Sequence, residues 1–135
     1  MGNTQEKVTG FARLHALLVD DDESILEASR LAFESSGYEV TVARDGAEAL
    51  SRIERDAPDL VVLDLVMPRR SGFAVLDRIA ESQPNRPRIM MVTANADPRH
   101  RRFATERGVD AFIAKPYEMS ILLTTAAELL GESPA

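Results

Sequence analysis

No cysteine occurs in the 135 residues, so disulfides, thiolate metal sites and cysteine nucleophiles are all excluded. No stretch approaches the ~18 consecutive apolar residues of a membrane-spanning helix. The opening segment MGNTQEKVTGFARL lacks the apolar core of a secretory signal, and Glu6 stands where a myristoylation pattern needs Ser or Thr. Basic residues are in deficit: 16 Lys and Arg against 22 Asp and Glu leave a net charge of −6. That balance opposes general binding to nucleic acid, whose phosphates it repels. It suits a soluble cytoplasmic protein with no direct contact to nucleic acid or membrane. His15 and His100 are the only histidines, and neither falls in a metal-ligand or phosphohistidine pattern.

What is present suffices for one core, since 44% of the residues are hydrophobic and the length fits one ordinary domain. Residues 1–13 and 132–135 read as a disordered N-terminal tail and a frayed C-terminal end, with the folded body at 14–131. Within the body, short apolar runs alternate with longer segments of helical period. The runs are HALLVD (15–20), YEVTVA (38–43), DLVVLD (59–64), RIMMVT (88–93) and DAFIAK (110–115). Several are apolar nearly throughout, as in strands buried on both faces of a parallel sheet. Asp22 is placed to cap the first helix and Gly37 to end it. Asp45-Gly46-Ala47-Glu48 resembles a capping box, and Pro58 marks that helix's exit. A third helix spans about 71–82. Asp97-Pro98 opens a fourth, ended by Gly108. The fifth runs from about Tyr117 to Leu130. Five βα units make a doubly wound α/β domain with a five-stranded parallel sheet. Periodicity does not give the strand order; 2-1-3-4-5 is the common one for five such units.

In that order four neighbouring strands end in Asp20 and Asp21, Asp64, Thr93 and Lys115. Folding alone needs none of them. Carboxylates ~4 Å apart repel by about 4 kcal/mol per pair at an effective dielectric near 20. A hard divalent cation relieves that repulsion, and Mg²⁺ is typically held by one or two carboxylates together with water and phosphate oxygens. Taken singly, each residue has an ordinary reading: a helix cap, a β-branched strand end, a loop lysine. Their joint appearance favours function.

The runs LLVDDDESI, DLVVLDLVMPRRSGF, MMVTANAD and DAFIAKP, in that order, resemble the signature segments of response regulator receiver domains (the CheY-like superfamily). The spacings are 29 positions from Asp64 to Thr93 and 22 from Thr93 to Lys115, and the likeness covers roughly Leu14 to Leu130. It implies the flavodoxin-like (βα)5 three-layer fold and a phosphoacceptor switch of a two-component phosphorelay. By this resemblance Asp64 is the phosphoacceptor. Asp20, Asp21, Asp64 and the backbone carbonyl of Val66 hold Mg²⁺. Thr93 and Ala94 bind the phosphoryl oxygens, Lys115 pairs with the phosphate, and the bond to Pro116 is cis. Phe112 is the aromatic residue that follows Thr93 on switching, although a plain core role has nearly equal weight. The implied partners are a sensor histidine kinase or histidine phosphotransfer protein and a downstream effector. A homodimer through the fourth helix, fifth strand and fifth helix is also implied. Any catalysis would be the chain's own phosphorylation and slow autodephosphorylation.

Arg69 and Arg70 stand where relatives more often carry small, apolar or acidic residues, and they read as solvated loop residues. Arg99, His100, Arg101, Arg102 and Arg107 make the fourth helix basic, which is usually a solvated face and otherwise a surface for an acidic partner. Two rival chemistries fit poorly. A dehalogenase-type phosphatase wants a second Asp where Val66 stands, and a flavin binder would have its phosphate repelled by Asp20, Asp21 and Asp22. The remaining alternative is a pseudo-receiver, a binding module independent of phosphorylation. Such proteins typically lose an acidic residue, the acceptor or the lysine, and this sequence keeps them all.

Overall fold

The computed structural model describes residues 13–65, 72–81, 86–94 and 97–131. The Arg69–Arg70 pair, Val66 and both terminal segments apart from Arg13 lie outside them. Strands β1 (His15–Val19), β2 (Glu39–Ala43), β3 (Leu60–Asp64), β4 (Arg88–Thr93) and β5 (Ala111–Ala114) alternate with five helices. These are α1 (Glu23–Ser35), α2 (Gly46–Asp56), α3 (Gly72–Ala80), α4 (Pro98–Glu106) and α5 (Met119–Leu129). All strand pairs are parallel, in the order β2-β1-β3-β4-β5. The fold is the expected doubly wound (βα)5 sandwich.

Strand side chains alternate between faces, so each strand feeds two cores. Leu17, Val61, Leu63, Ile89 and Met91 pack under Ala49 of α2, Val75, Leu76 and Ile79 of α3 and Ala104 of α4. Ala16, Leu18, Leu60, Val62 and Met90 pack under Leu26 and Phe33 of α1 and Leu122 and Ala126 of α5. With both faces covered, the central strands read as apolar without interruption, which is why alternation was absent from the sequence.

Helix ends follow their side chains. Asp22 accepts from the N–H groups of Ser24 and Ile25 at 2.9 and 3.3 Å. Asp45 accepts from Glu48 N–H at 2.8 Å, while Glu48 reaches back to the N–H of Arg44 at 2.8 Å, one residue before the cap. Asp97 caps α4 through Arg99 N–H, and hydrogen bonding from Arg99 holds the Asp97 carboxyl down at about 2. Gly37 and Gly108 sit at φ 98° and 90°, the left-handed region that favours glycine past a helix end. Ala57 takes the same role after α2 at φ 46°, a conformation that costs a non-glycine residue about 1 kcal/mol.

Four of the five apolar runs overrun their strands, at Asp20, Tyr38, Asp59, Asp110 and Lys115. Asp59 and Asp110, read as first strand residues, precede their strands and use their carboxylates on neighbours. Asp59 accepts from His15 N–H and Asp110 from Ile89 N–H, both at 2.8 Å. The fifth helix begins at Met119, not Tyr117, with Glu118 at its N-cap making no side-chain cap bond. At the other end of the domain Arg13, assigned to the tail by composition, donates to the Tyr38 carbonyl at 3.1 Å. No helix among the described residues is long and apolar enough to cross a membrane.

Candidate functional site

Strand register assembles the site. Val19 is paired with Leu63, so the following residues, Asp20 just past β1 and Asp64 at the end of β3, come side by side. Asp64 is paired with Val92 and Thr93 with Ala114, which sets Thr93 and Lys115 at the same edge. Carboxylate oxygens of Asp20, Asp21 and Asp64 all lie within 4.8 Å of one another. Asp20 and Asp64 are only 6% and 7% exposed, whereas Asp21 faces solvent. An all-oxygen donor set this tight, partly desolvated and open on one side, suits a hard divalent cation.

Lys115 Nζ reaches into the cluster from β5, 3.0 Å from Asp20 Oδ2 and 3.4 Å from Asp64 Oδ2. Burial alone would lower its pKa. The hydrogen bond to Asp20 and the charges of Asp64 and Asp20 outweigh burial and hold the ammonium above the usual lysine range. Its backbone N–H donates to the Thr93 carbonyl at 2.8 Å, tying the lysine to β4. The Lys115–Pro116 bond is cis. Asp20 is fixed from the other side, where Oδ1 accepts from Asp22 N–H at 2.9 Å. Thr93 is 1% exposed, and Ala94 beside it lines a groove of about 470 Å³ with Lys115. Asp20, Asp21, Asp64, Thr93, Ala94 and Lys115 thus share one rim. Val66 falls outside the described residues.

Phe112 stands apart from the carboxylates, partly buried against the core beneath α4. The Arg101 guanidinium lies over its ring at 5.2 Å. The basic run of α4 is accordingly only in part a solvated face. Arg107 pairs with Asp77 at 2.9 Å and covers the Phe103 ring at 3.4 Å, and Arg99 pairs with Asp97 at 3.0 Å.

Three residues at the site escaped the sequence reading. Gly72 opens α3 with its N–H donating to the Leu65 carbonyl at 2.9 Å. A Cβ there would sit 2.7 Å from the Asp64 carbonyl oxygen and 2.9 Å from Leu65 Cα. The signal was a glycine at the start of an expected helix. Ser29, buried in the middle of α1, and Tyr117 line a cavity of about 20 Å³ together with Asp20 and Asp64. Only the interruption of an apolar stripe by Ser29 hinted at them.

Comparison with known proteins identifies the family of the chain. A family model described as the response regulator receiver domain matches residues 16–127. The chain is similar to the response regulator MprA of Mycobacterium leprae, with 35% identity over 117 residues, 87% of this chain and 51% of that protein. It is also similar to MprA of Mycolicibacterium vanbaalenii, at 37% over 114 residues. It therefore spans about half the length of the curated relatives it matches. Among solved structures, a CheY-like receiver domain protein from Methanospirillum hungatei superposes with a TM-score of 0.85 at 32% identity, covering 89% of this chain and 95% of that one. The chemotaxis response regulator CheY4 of Vibrio cholerae gives 0.81 at 28% identity, covering 88% and 100%.

Proposed function

Because the chain belongs to the response regulator receiver domain family, we propose that it is a phosphoacceptor switch of a two-component system, modified on Asp64 with Mg²⁺. The supporting observation is the convergence of Asp20, Asp21 and Asp64 within 4.8 Å, with Lys115 Nζ 3.0 and 3.4 Å from two of them. The phosphoryl donor in this reading is a histidine kinase or a histidine phosphotransfer protein.

An Asp64 carboxylate oxygen attacks phosphorus, forming an O–P bond as the P–N bond to the donor imidazole breaks. The electron pair of that bond returns to the imidazole nitrogen. Asp20, Asp21, Asp64 and the Val66 carbonyl are the residues that would hold Mg²⁺. When bound, the ion neutralises negative charge on the phosphoryl oxygens. Lys115 leaves its carboxylate partners to pair with the new phosphate, and Thr93, with Ala94 beside it, supplies hydrogen bonding to another phosphoryl oxygen. Rate enhancement comes from positioning and charge neutralisation, so no further acid or base is required.

Phosphorylation adds close to two negative charges and three acceptor oxygens. Thr93 is drawn towards them, Phe112 turns into the space released, and the surface of α4, β5 and α5 changes. That surface then meets a downstream partner or a second copy of the chain.

The mimic beryllofluoride, added with Mg²⁺ and followed by NMR, tests the switch. Amide resonances of Asp64, Thr93 and Lys115 are expected to move, together with those around Phe112 on β5. A spectrum indifferent to the mimic removes the phosphoacceptor reading in favour of a phosphorylation-independent binding module.

A further inference from the structure

Helices α3 and α4 meet through two i, i+4 pairs, Phe73 with Asp77 and Phe103 with Arg107, a spacing that sets both members of a pair on one helix face. The Phe73 and Phe103 rings pack edge to face, 4.8 Å between centroids. Arg107 Nε donates to Asp77 Oδ1 at 2.9 Å. The same guanidinium lies 3.4 Å from the Phe103 ring centroid and 5.9 Å from that of Phe73. An ion pair to a carboxylate as exposed as Asp77 contributes little by itself. Here the arginine side chain is only 26% exposed, so stacking and partial desolvation reinforce the pair.

These contacts stand between the acceptor and the surface that changes. Phe73 follows Gly72, whose N–H bond to the Leu65 carbonyl at 2.9 Å seats the start of α3 against the Asp64 backbone. Arg107 is the C-cap residue of α4, and Arg101 of the same helix lies over Phe112 at 5.2 Å. All of them coexist with Lys115 paired to Asp20 and Asp64, the arrangement that precedes a phosphoryl group. We infer that Arg107 and Asp77 are positioning residues that latch α4 to α3 in the unphosphorylated form, so that the switch must open this contact. The inference rests on the phosphoacceptor reading and names a contact that regulates it. A latch made only in the resting form opposes the transition, so its removal favours the form that binds a phosphoryl mimic.

The test uses the full chain, with beryllofluoride titrated at saturating Mg²⁺. Arg107→Gln is expected to bind beryllofluoride about 2- to 5-fold more tightly than wild type, the worth of one stacked, partly exposed ion pair. The sign is informative, because losing a positive charge or loosening the fold would each weaken binding of an anion. Arg102→Gln removes the same charge from the exposed side of α4 and should bring no gain. Adding Asp77→Asn to Arg107→Gln should change nothing further, as for two members of one contact. In wild type the Arg107 Nε–H resonance, displaced by the Phe103 ring, should move towards that of a solvated arginine as beryllofluoride saturates. An Arg107→Gln affinity at or below wild type, an equal gain in Arg102→Gln, a further gain on adding Asp77→Asn, or an Nε–H signal that stays in place would overturn the inference and leave the phosphoacceptor reading standing. If wild type itself ignores beryllofluoride, that reading fails and takes the inference with it, a result distinct from the others.

Discussion

Asp64→Asn is expected to reduce acyl phosphate formation to background, read as loss of the one-phosphoryl mass gain that wild type acquires from a small acyl phosphate donor with Mg²⁺. The substitution keeps size and shape but replaces a carboxylate by an amide, which is no nucleophile towards phosphorus at neutral pH. Asp64 sits at the end of β3 with its backbone in register with Val92, so the side chain is delivered by the sheet and not by a mobile loop. The fold is expected to survive. Removing one of three crowded carboxylates relieves repulsion, which offsets the lost 3.4 Å contact with Lys115, and Asp20 keeps its own contact at 3.0 Å. A variant that still gains the phosphoryl group at the wild-type level would place the acceptor elsewhere.

Gly72→Ala is expected to harm both stability and chemistry. Its new Cβ meets the Asp64 carbonyl oxygen at 2.7 Å and Leu65 Cα at 2.9 Å. Both are backbone atoms, so no flexible side chain can swing aside. Either α3 retreats, breaking the Gly72 N–H bond to the Leu65 carbonyl, or the end of β3 is displaced with Asp64 upon it. Overpacking of this kind typically costs about 1–3 kcal/mol. A displacement of ~1 Å at a reacting group can cost about 10²-fold in rate. Urea unfolding should show the lower stability, and the small-donor assay should show slower phosphorylation even where the variant is fully folded. Wild-type behaviour in both measurements would mean that α3 packs less rigidly on Asp64 than described.

Much of this organisation was legible because its causes are local. Asp22, Asp45 and Asp97 cap the helices they were expected to cap, and Gly37 and Gly108 end two of them, since a cap needs only its own turn. The strands announced themselves as apolar runs because both faces of the sheet are covered. Strand order and the meeting of Asp20 with Asp64 are different in kind. They depend on the pairing of Val19 with Leu63, a contact between distant segments that periodicity does not encode. The same holds for what was missed. Asp59 and Asp110 looked like strand residues until their carboxylates were seen serving His15 and Ile89 on adjacent strands. Tyr117 looked helical because the segment after it is helical, yet α5 starts only at Met119. Gly72 is ordinary as a helix residue and indispensable only beside the Asp64 carbonyl.

Calorimetric titration with Mg²⁺ tests the central claim most directly, that Asp20, Asp21 and Asp64 form one cation site. Wild type should bind at a single site, and Asp20→Asn combined with Asp21→Asn should lose that binding while remaining folded. Thermal unfolding supplies the matching sign: at a hundredfold excess over Kd, binding to the native state alone adds about 2.7 kcal/mol. No heat of binding in wild type, or binding undiminished in the double variant, would contradict the account.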